Sequence, residues 1–163
     1  MRSQDKFLIG IVVGIIVLVL GVFSLTLLRP EAEYLLDDDP EGAVHNYLLA
    51  LQNGDFERAY KYLSPHIPGY PLSLDRFEEN VDRNSYIFHE GSDNTLSVDS
   101  AETDDVQSTV RVRETRFYAS GLFDSSQSVN VFKVRLRLEQ GEWRIYGADA
   151  YFVNCWASVD GCR

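Results

Sequence analysis

The hydrophobic period of the chain changes near Ser85, and this change limits the fold more than any other feature of the sequence. Before Ser85, apolar residues recur every three or four positions, as on one face of a helix. After Ser85 they alternate with polar residues in runs rich in β-branched and aromatic side chains, as on half-buried strands. Short helices followed by strands in hairpin order predict an α+β fold, with the helices packed on one face of an antiparallel sheet.

Three helices are predicted before this change. Asp39 and Pro40 are typical of a helix N-terminus, while Gly54 ends that helix and Asp55 caps the next one. The apolar positions of these two helices are Val44, Tyr47, Leu48 and Leu51, and then Phe56, Ala59, Tyr60 and Leu63. A third helix is predicted from about Ser73, after a segment that three prolines keep irregular.

Five strands are predicted after the change. They cover residues 85–90, 95–102, 106–120, 128–140 and 142–152. In the fourth strand Val129 and Val131 have the opposite parity to the apolar residues that follow, which predicts a bulge or bend near Phe132. A strongly bent sheet wrapped over the helices would leave a cone-shaped hollow between the two layers.

The segment before the helices is apolar enough to predict a membrane anchor. Residues 7–28 carry no charge, and as a helix they would be roughly 33 Å long, against about 30 Å for a hydrocarbon core. A cleaved signal peptide is the alternative, but its apolar region would be shorter, about 7–15 residues. Because Arg2 and Lys6 precede the run, we expect a single-pass protein of a cell membrane with a cytoplasmic N-terminus.

Glycines in this apolar run follow a pattern that permits close contact between membrane helices. Gly10 and Gly14 form a GxxxG sequence, and Gly21 lies one heptad further along the same face. The pattern permits a dimer through the anchor, but chance matches are common in membrane segments, so it does not by itself predict one.

These signals divide the chain into four parts. Residues 1–28 form the cytoplasmic tip and the anchor, and residues 29–39 form an acidic linker. Residues 40–154 form the folded, extracytoplasmic domain, and residues 155–163 form a C-terminal tail.

The charge balance limits the partners of the chain. The net charge is −10 overall and +1 for residues 1–28, so the remainder carries −11. Such a surface repels nucleic acid, and no nucleic-acid partner is expected. The sequence contains no phosphate loop, zinc helix or Gly-x-Ser-x-Gly elbow, so neither a cofactor nor a metal is expected.

The chain has two cysteines, Cys155 and Cys162, separated by a short turn at Asp160 and Gly161. A disulfide between them would persist outside the cytoplasm and would hold the C-terminal tail in place. Metal binding is the alternative, but two cysteines without a nearby histidine make a poor site. The spacing therefore favours the disulfide.

Two stretches of the sequence resemble a known superfamily. "YLLALQNGDFERAYKYLSP", residues 47–65, resembles the opening of NTF2-like domains, and "GEWRIYGADAYF", residues 141–152, resembles their closing strand. The resemblance covers about residues 40–152 and is strongest to bacterial extracytoplasmic members of unknown function. It implies a cone of three helices packed on a strongly curved antiparallel sheet, and often a dimer through that sheet. Since this fold hosts enzymes, adaptors and scaffolds, it implies no activity by itself.

Enzymes of this superfamily place an acidic or histidine base and a hydrogen-bond donor inside the cone. The weak candidates here are Asp149, Tyr146, His89, Tyr118 and Tyr47. None of them lies in a motif that matches the family residue by residue. A buried Asp149 would have a raised pKa and would serve as a base, whereas an outward Asp149 would bond to backbone at the end of its strand.

Three functional interpretations follow. The absence of a matched catalytic motif favours a membrane-anchored, non-catalytic binding or scaffold module that holds a protein or a small apolar ligand in the cone. A subunit of a secretion or envelope complex is the second, by analogy of fold. An isomerase-like or cyclase-like enzyme is the third, and a cone filled by aromatic side chains would exclude it.

Overall fold

The computed structural model describes residues 3–27, 33–88, 94–119, 125–159 and 161–162. The chain divides into two compact units, Met1–Glu33 and Tyr34–Arg163. The second unit thus begins five residues before the predicted helix cap at Asp39. Each unit is considered by itself.

The first unit contains one helix, α1, which covers Ser3–Leu27. The described side chains of α1, residues 9–23, are exposed, and a Cβ added at Gly10, Gly14 or Gly21 would meet no atom within 4 Å. Over the described residues, no helix combines the length and the apolarity needed to cross a membrane, so the structure does not support the predicted anchor.

The second unit opens with the predicted helices. They are α2 (Pro40–Asn53), α3 (Phe56–Lys61) and α4 (Leu74–Arg83). The Asp39 side chain accepts a hydrogen bond from the Gly42 N–H, and Gly54 closes α2 with a left-handed backbone at φ 69°. The predicted caps at Asp39, Gly54 and Asp55 are therefore confirmed, whereas α3 ends at Lys61, before Leu63, which was predicted to lie in the same helix.

The first predicted strand, residues 85–90, is wrong. Ser85–Phe88 form one further helical turn, α5, and residues 89 and 90 lie outside the described part of the chain. The turn starts directly after α4, because the Ile87 N–H bonds the Asn84 carbonyl at 2.9 Å. Two adjacent apolar residues do not distinguish a strand from a helical turn, since neither period is sampled in so short a run.

Four strands form one antiparallel sheet in the order of the sequence: β1 (Asn94–Thr103), β2 (Gln107–Ala119), β3 (Ser125–Glu139) and β4 (Glu142–Ala148). Gln140 and Gly141 both have positive φ, at 53° and 89°, and join β3 to β4. A two-residue loop of this kind matches the twist of the flanking strands. The α+β fold with an antiparallel meander is confirmed.

The bulge predicted near Phe132 is also wrong. The β2–β3 pairing is regular from Gln107 opposite Arg137 to Ala119 opposite Ser125. The register shifts elsewhere, between Val98 and Ser100 in β1 and at Tyr146 in β4. Val129 and Val131 have the opposite parity because they lie on the outer face of the sheet, away from the helices.

The core fills the space between the helices and the inner face of the sheet. Its largest fully buried side chains include Trp156, Tyr47, Phe77, Leu51, Leu63, Leu136 and Ile145. The free edge of β4 is covered by the chain after α3: the Ser64 N–H donates to the Ile145 carbonyl, and the Ile145 N–H donates to the Tyr62 carbonyl, both at 2.8 Å. That edge is therefore closed within the domain.

The C-terminal segment packs into this core. Asn154–Ala157 form a 3₁₀ turn that buries Trp156, and the predicted disulfide between Cys155 and Cys162 is present. The backbone at Gly161 approaches the irregular segment before α4, where a Cβ on Gly161 would lie 2.6 Å from the Gly69 Cα. The tail thus closes over the end of the domain, and only glycine permits the contact.

We expect Gly161→Ala to destabilise the domain by about 1–3 kcal/mol more than Gly141→Ala, because overpacking adds to the backbone strain. Both glycines have positive φ, but an added Cβ at Gly141 meets nothing within 4 Å. Urea unfolding of the full chain, followed by circular dichroism, measures the difference. Equal costs for the two variants would contradict the close contact at Gly161.

Candidate functional site

Aromatic side chains occupy the interior between the helices and the sheet. Phe77 and Trp156 stack with ring centroids 5.4 Å apart, and Phe152 meets Trp156 edge-on at 5.3 Å. Phe132 packs against Tyr151 with centroids 5.5 Å apart. All five side chains are buried, so in the described residues the cone is packed rather than open.

One cluster of polar side chains interrupts this apolar interior, and we call Asn94, Glu114, Arg116 and Tyr151 the Glu114 cluster. The Glu114 carboxylate is 1% exposed and accepts a hydrogen bond from the Tyr151 hydroxyl at 2.7 Å. Arg116 donates to both of its oxygens, at 3.0 and 3.3 Å, and Asn94 donates at 3.4 Å. Asn94 also donates to the Tyr151 hydroxyl at 2.8 Å, which closes the network.

The pleat of the sheet explains why a carboxylate lies here. Val110, Val112 and Glu114 alternate along the inner face of β2, and Asn94 begins β1 opposite Arg116. Burial of an unpaired carboxylate would be strongly unfavourable, so each of its neighbours serves to compensate the charge.

Tyr151 reaches the cluster from an unusual backbone conformation. Its φ is 55°, in a region that non-glycine residues seldom adopt, and its side chain is buried. The Tyr47 hydroxyl donates to the Tyr151 carbonyl at 2.7 Å, and burial raises the pKa of Tyr47, so this donor stays protonated. Helix α2 therefore holds the chain after β4 in the conformation that brings Tyr151 to Glu114.

The pKa of Glu114 lies below its ordinary value. Burial is the largest single effect and would raise this pKa. Hydrogen bonds from Tyr151 and Arg116, the charge of Arg116 and the bond from Asn94 together outweigh it. A carboxylate that is ionised at neutral pH and occupied by several donors is a poor proton acceptor. The geometry suits charge compensation inside the fold better than acid–base chemistry.

The residues singled out from sequence lie elsewhere. The Asp149 side chain is 48% exposed, pairs with Arg135 at 3.0 Å and accepts from the Lys133 N–H at 3.2 Å. Tyr146 lies beside the Arg137 guanidinium on the outer face, 5.0 Å from the ring centroid.

Of the remaining candidates, Tyr118 is half exposed and His89 lies outside the described residues. Among the candidates that the structure describes, Tyr47 contacts the Glu114 cluster, through the Tyr151 backbone. Among the described residues, no group of three or more His, Cys, Asp or Glu side chains is arranged to hold a metal.

The sequence analysis missed the Glu114 cluster, although one signal for Glu114 was present. Glu114 continues the parity of Val110 and Val112, which places a carboxylate on the apolar side of an alternating strand. Nothing local pointed to Tyr151 or Asn94 as its partners, because they lie 37 and 20 residues away in sequence.

A second feature lies on the opposite side of the sheet, and we call it the outer patch. Phe117, Val129 and Val131 are each about half exposed, at 49%, 53% and 50%, and Thr115 lies between them in the β2–β3 ladder. Charged pairs border the patch: Arg113 with Asp99 at 2.8 Å, and Arg135 with Asp149 at 3.0 Å. An apolar centre with a charged rim is the arrangement of a protein interface.

Comparison with solved structures places this domain among known folds. A protein from Thiobacillus denitrificans, whose name assigns it to the association domains of calcium/calmodulin-dependent protein kinase type II, superposes with a TM-score of 0.51 at 13% identity. The match covers 71% of this chain and 96% of that protein.

Two further solved structures match less closely in geometry. An NTF2-like protein of unknown function from Shewanella oneidensis has a TM-score of 0.44 at 11% identity, over 66% of this chain and 92% of its own. A SEC-C motif protein from Rhodopseudomonas palustris has a TM-score of 0.49 at 19% identity, over 71% and 81%. No protein-family model matches the sequence, and no curated protein matches it.

The unit Tyr34–Arg163 consists of helices followed by an antiparallel meander that packs on them, and it shares its fold with the protein from Thiobacillus denitrificans. The arrangement agrees with the resemblance inferred from residues 47–65 and 141–152. Identities this low carry no information about activity.

We expect Glu114→Gln to destabilise the domain by about 1–3 kcal/mol at pH 7, because the amide cannot replace the charge that Arg116 faces. The difference from the native chain should shrink as the pH falls. A carboxyl whose folded pKa is depressed stabilises the fold above its ordinary value of 4.5 and loses that contribution as it becomes protonated. Urea unfolding of the full chain between pH 7 and pH 3 measures this dependence.

Glu102→Gln is the matched control, since Glu102 pairs with Arg111 on the same sheet but is 75% exposed. Its cost should stay below about 0.5 kcal/mol at every pH. A Glu114→Gln cost that is constant from pH 7 to pH 3 would mean that Glu114 is not ionised within its cluster.

Proposed function

We propose that this chain is a non-catalytic binding or scaffold module of the NTF2-like fold that works at the membrane through the outer face of its sheet. The observation that carries the proposal is the state of the interior. Buried aromatic rings fill it, and its carboxylate, Glu114, is occupied by Arg116, Tyr151 and Asn94.

An enzyme of this fold needs an ionisable group that faces a cavity and is free to exchange a proton. Glu114 is ionised and fully engaged, and Asp149 is on the surface in an ion pair with Arg135. The pKa of Glu114 is lowered, whereas a general base near neutral pH requires a raised one. These observations favour binding over an isomerase-like or cyclase-like reaction.

The outer patch is the surface we assign to binding, and a second copy of this chain is the partner we propose for it. Phe117, Val129 and Val131 lie on two long strands whose pairing is regular, so the sheet fixes their spacing. The arginines at the rim of the patch already pair with carboxylates on the same face. These pairs lower the free-energy cost of removing the arginines from water when an uncharged surface packs against them. A subunit of a secretion or envelope complex would use the same surface for a different chain.

The location of the module is proposed from the sequence. The uncharged run of residues 7–28 would hold the chain in a cell membrane, and Arg2 and Lys6 would keep its N-terminus in the cytoplasm. The folded unit would then lie outside the cytoplasm. The disulfide between Cys155 and Cys162 supports this placement, because disulfides persist in oxidising compartments.

We expect the full chain in detergent to sediment as a dimer and Val131→Glu to sediment as a monomer, because the substitution places a charge in the centre of the outer patch. Val106→Glu is the matched control, since Val106 is 54% exposed in the turn before β2, away from the patch. Analytical ultracentrifugation measures both masses.

The outcomes separate the interfaces. A dimer that survives Val131→Glu and is broken by Gly14→Leu would assign self-association to α1 and reject the outer patch as the dimer surface. A monomeric native chain that crosslinks to another envelope protein in cells, with the crosslink lost in Val131→Glu, would favour the complex subunit over the homodimer.

The proposed orientation predicts that protease added to intact spheroplasts removes the folded unit and leaves a membrane-bound fragment near 3–4 kDa, since about 30 residues precede Tyr34. Immunoblotting with an epitope tag at each terminus follows both products, and lysed spheroplasts show that the unit is cleavable. Protection of the folded unit in intact spheroplasts, together with cleavage after lysis, would reject the extracytoplasmic location.

A further inference from the structure

A groove of about 340 Å³ lies between the end of α3 and the start of β4, and none of its lining residues belongs to the Glu114 cluster. We call it the α3–β4 groove. It is lined by Asp37, Arg58, Lys61, Tyr62, Glu142, Trp143 and Arg144. Three cations therefore line one groove of a chain whose net charge is −10.

Arg58 is held in place without using its hydrogen-bonding groups. Its guanidinium carbon lies 3.8 Å from the centroid of the Tyr34 ring, which fixes the plane of the group. The nearest carboxylate, that of Asp55, is 3.9 Å away, beyond hydrogen-bond distance. Within the described residues, the side chain makes no hydrogen bond, so a planar set of donors remains oriented and unused.

The other two cations are held less firmly or are already paired. The Lys61 ammonium lies 2.8 Å from Glu57, but both side chains are about two-thirds exposed, so the pair contributes little and can exchange partners. Arg144 pairs with Glu142 within the groove. A ligand that replaces Glu57 at Lys61 therefore displaces only a weak contact.

The Asp37 carboxylate, which also lines the groove, is already occupied. Asp37 accepts hydrogen bonds from the Asn46 amide and from the Tyr62 hydroxyl, the latter at 2.9 Å. Burial and the bond to Asp37 raise the pKa of Tyr62 to about 12, so Tyr62 remains a donor. The Trp143 indole lines the same groove beside these groups. The unused hydrogen-bond donors of the groove therefore belong to the Arg58 guanidinium.

We propose that the α3–β4 groove binds an oxyanion, a carboxylate or a phosphate, with Arg58 as the principal contact and Lys61 as the second. A guanidinium presents donors in a fork that matches two oxygens of such a group. Stacking on Tyr34 has already restricted the Arg58 side chain, so binding loses less conformational entropy. The oxyanion can come from a free small anion or from an acidic side chain of a partner protein. Separate titrations with a small anion and with an acidic peptide distinguish the two sources.

Trp143 supplies the readout, because the other tryptophan, Trp156, is fully buried. Inorganic phosphate and a hexaglutamate peptide with blocked termini are titrated separately against the full chain in detergent, and the tryptophan fluorescence is followed. We expect saturable binding of at least one probe that Arg58→Gln weakens by about tenfold or more. Lys61→Gln should weaken it by a smaller factor.

Arg83→Gln is the matched control, because Arg83 is an exposed arginine on α4, paired with Glu79, and the substitution changes the net charge equally. It should leave binding within about twofold. Circular dichroism melts check that each variant is folded. If Arg58→Gln does not fold, the effect of Lys61→Gln on binding tests the site instead.

Each outcome bears on the proposal. Saturation by phosphate alone assigns a free small anion, and saturation by the peptide alone assigns an acidic partner. An unsaturable response to both probes overturns the site. Equal weakening by Arg58→Gln and Arg83→Gln also overturns it, because the effect would then come from net charge alone.

Discussion

The hydrogen bond from the Tyr47 hydroxyl to the Tyr151 carbonyl determines much of the rest of the domain. It joins the centre of α2 to the chain after β4, 104 residues later, in a buried setting. A buried carbonyl left without a donor would be unfavourable by about 1–3 kcal/mol, so the contact fixes the path of the chain at this point. That path turns Tyr151 toward Glu114 and leads directly into Phe152 and Trp156, which complete the core.

The interior of the domain and its surface have different roles: the interior maintains the fold, and the surface is the part that we assign to binding. Inside the domain, Glu114, Arg116 and Tyr151 form one hydrogen-bonded network around the buried carboxylate. Such a network favours one arrangement of the chain, because any partial arrangement leaves a buried charge uncompensated. The two features that we assign to binding lie outside this interior: the apolar outer patch around Val131 and the stacked guanidinium of Arg58. We propose that the domain acts through these surfaces.

Prediction from sequence succeeded where the signal is local. The caps at Asp39, Gly54 and Asp55 use contacts within three or four residues, so a short window contains all the information they need. The strand at residues 85–90 failed because Ile87 and Phe88 are too few to show a period. The prediction of a bulge near Phe132 was wrong for another reason. The opposite parity of Val129 and Val131 reflects an exposed apolar face, and alternation alone does not reveal whether a partner covers that face.

The sequence by itself determined the α+β class, the order and the starts of α2, α3 and α4, the existence of the last four strands and the pair of cysteines. Each of these follows from period, turn chemistry or spacing along the chain. Only the tertiary structure decided that the carboxylate inside the sheet is Glu114 and that Asp149 faces outward, because β4 shifts register at Tyr146 before Asp149 is reached. Likewise, Tyr34 and Arg58 meet only after the segment before α2 folds onto α3. Contacts between residues distant in sequence depend on how the layers pack, and no local pattern encodes that packing.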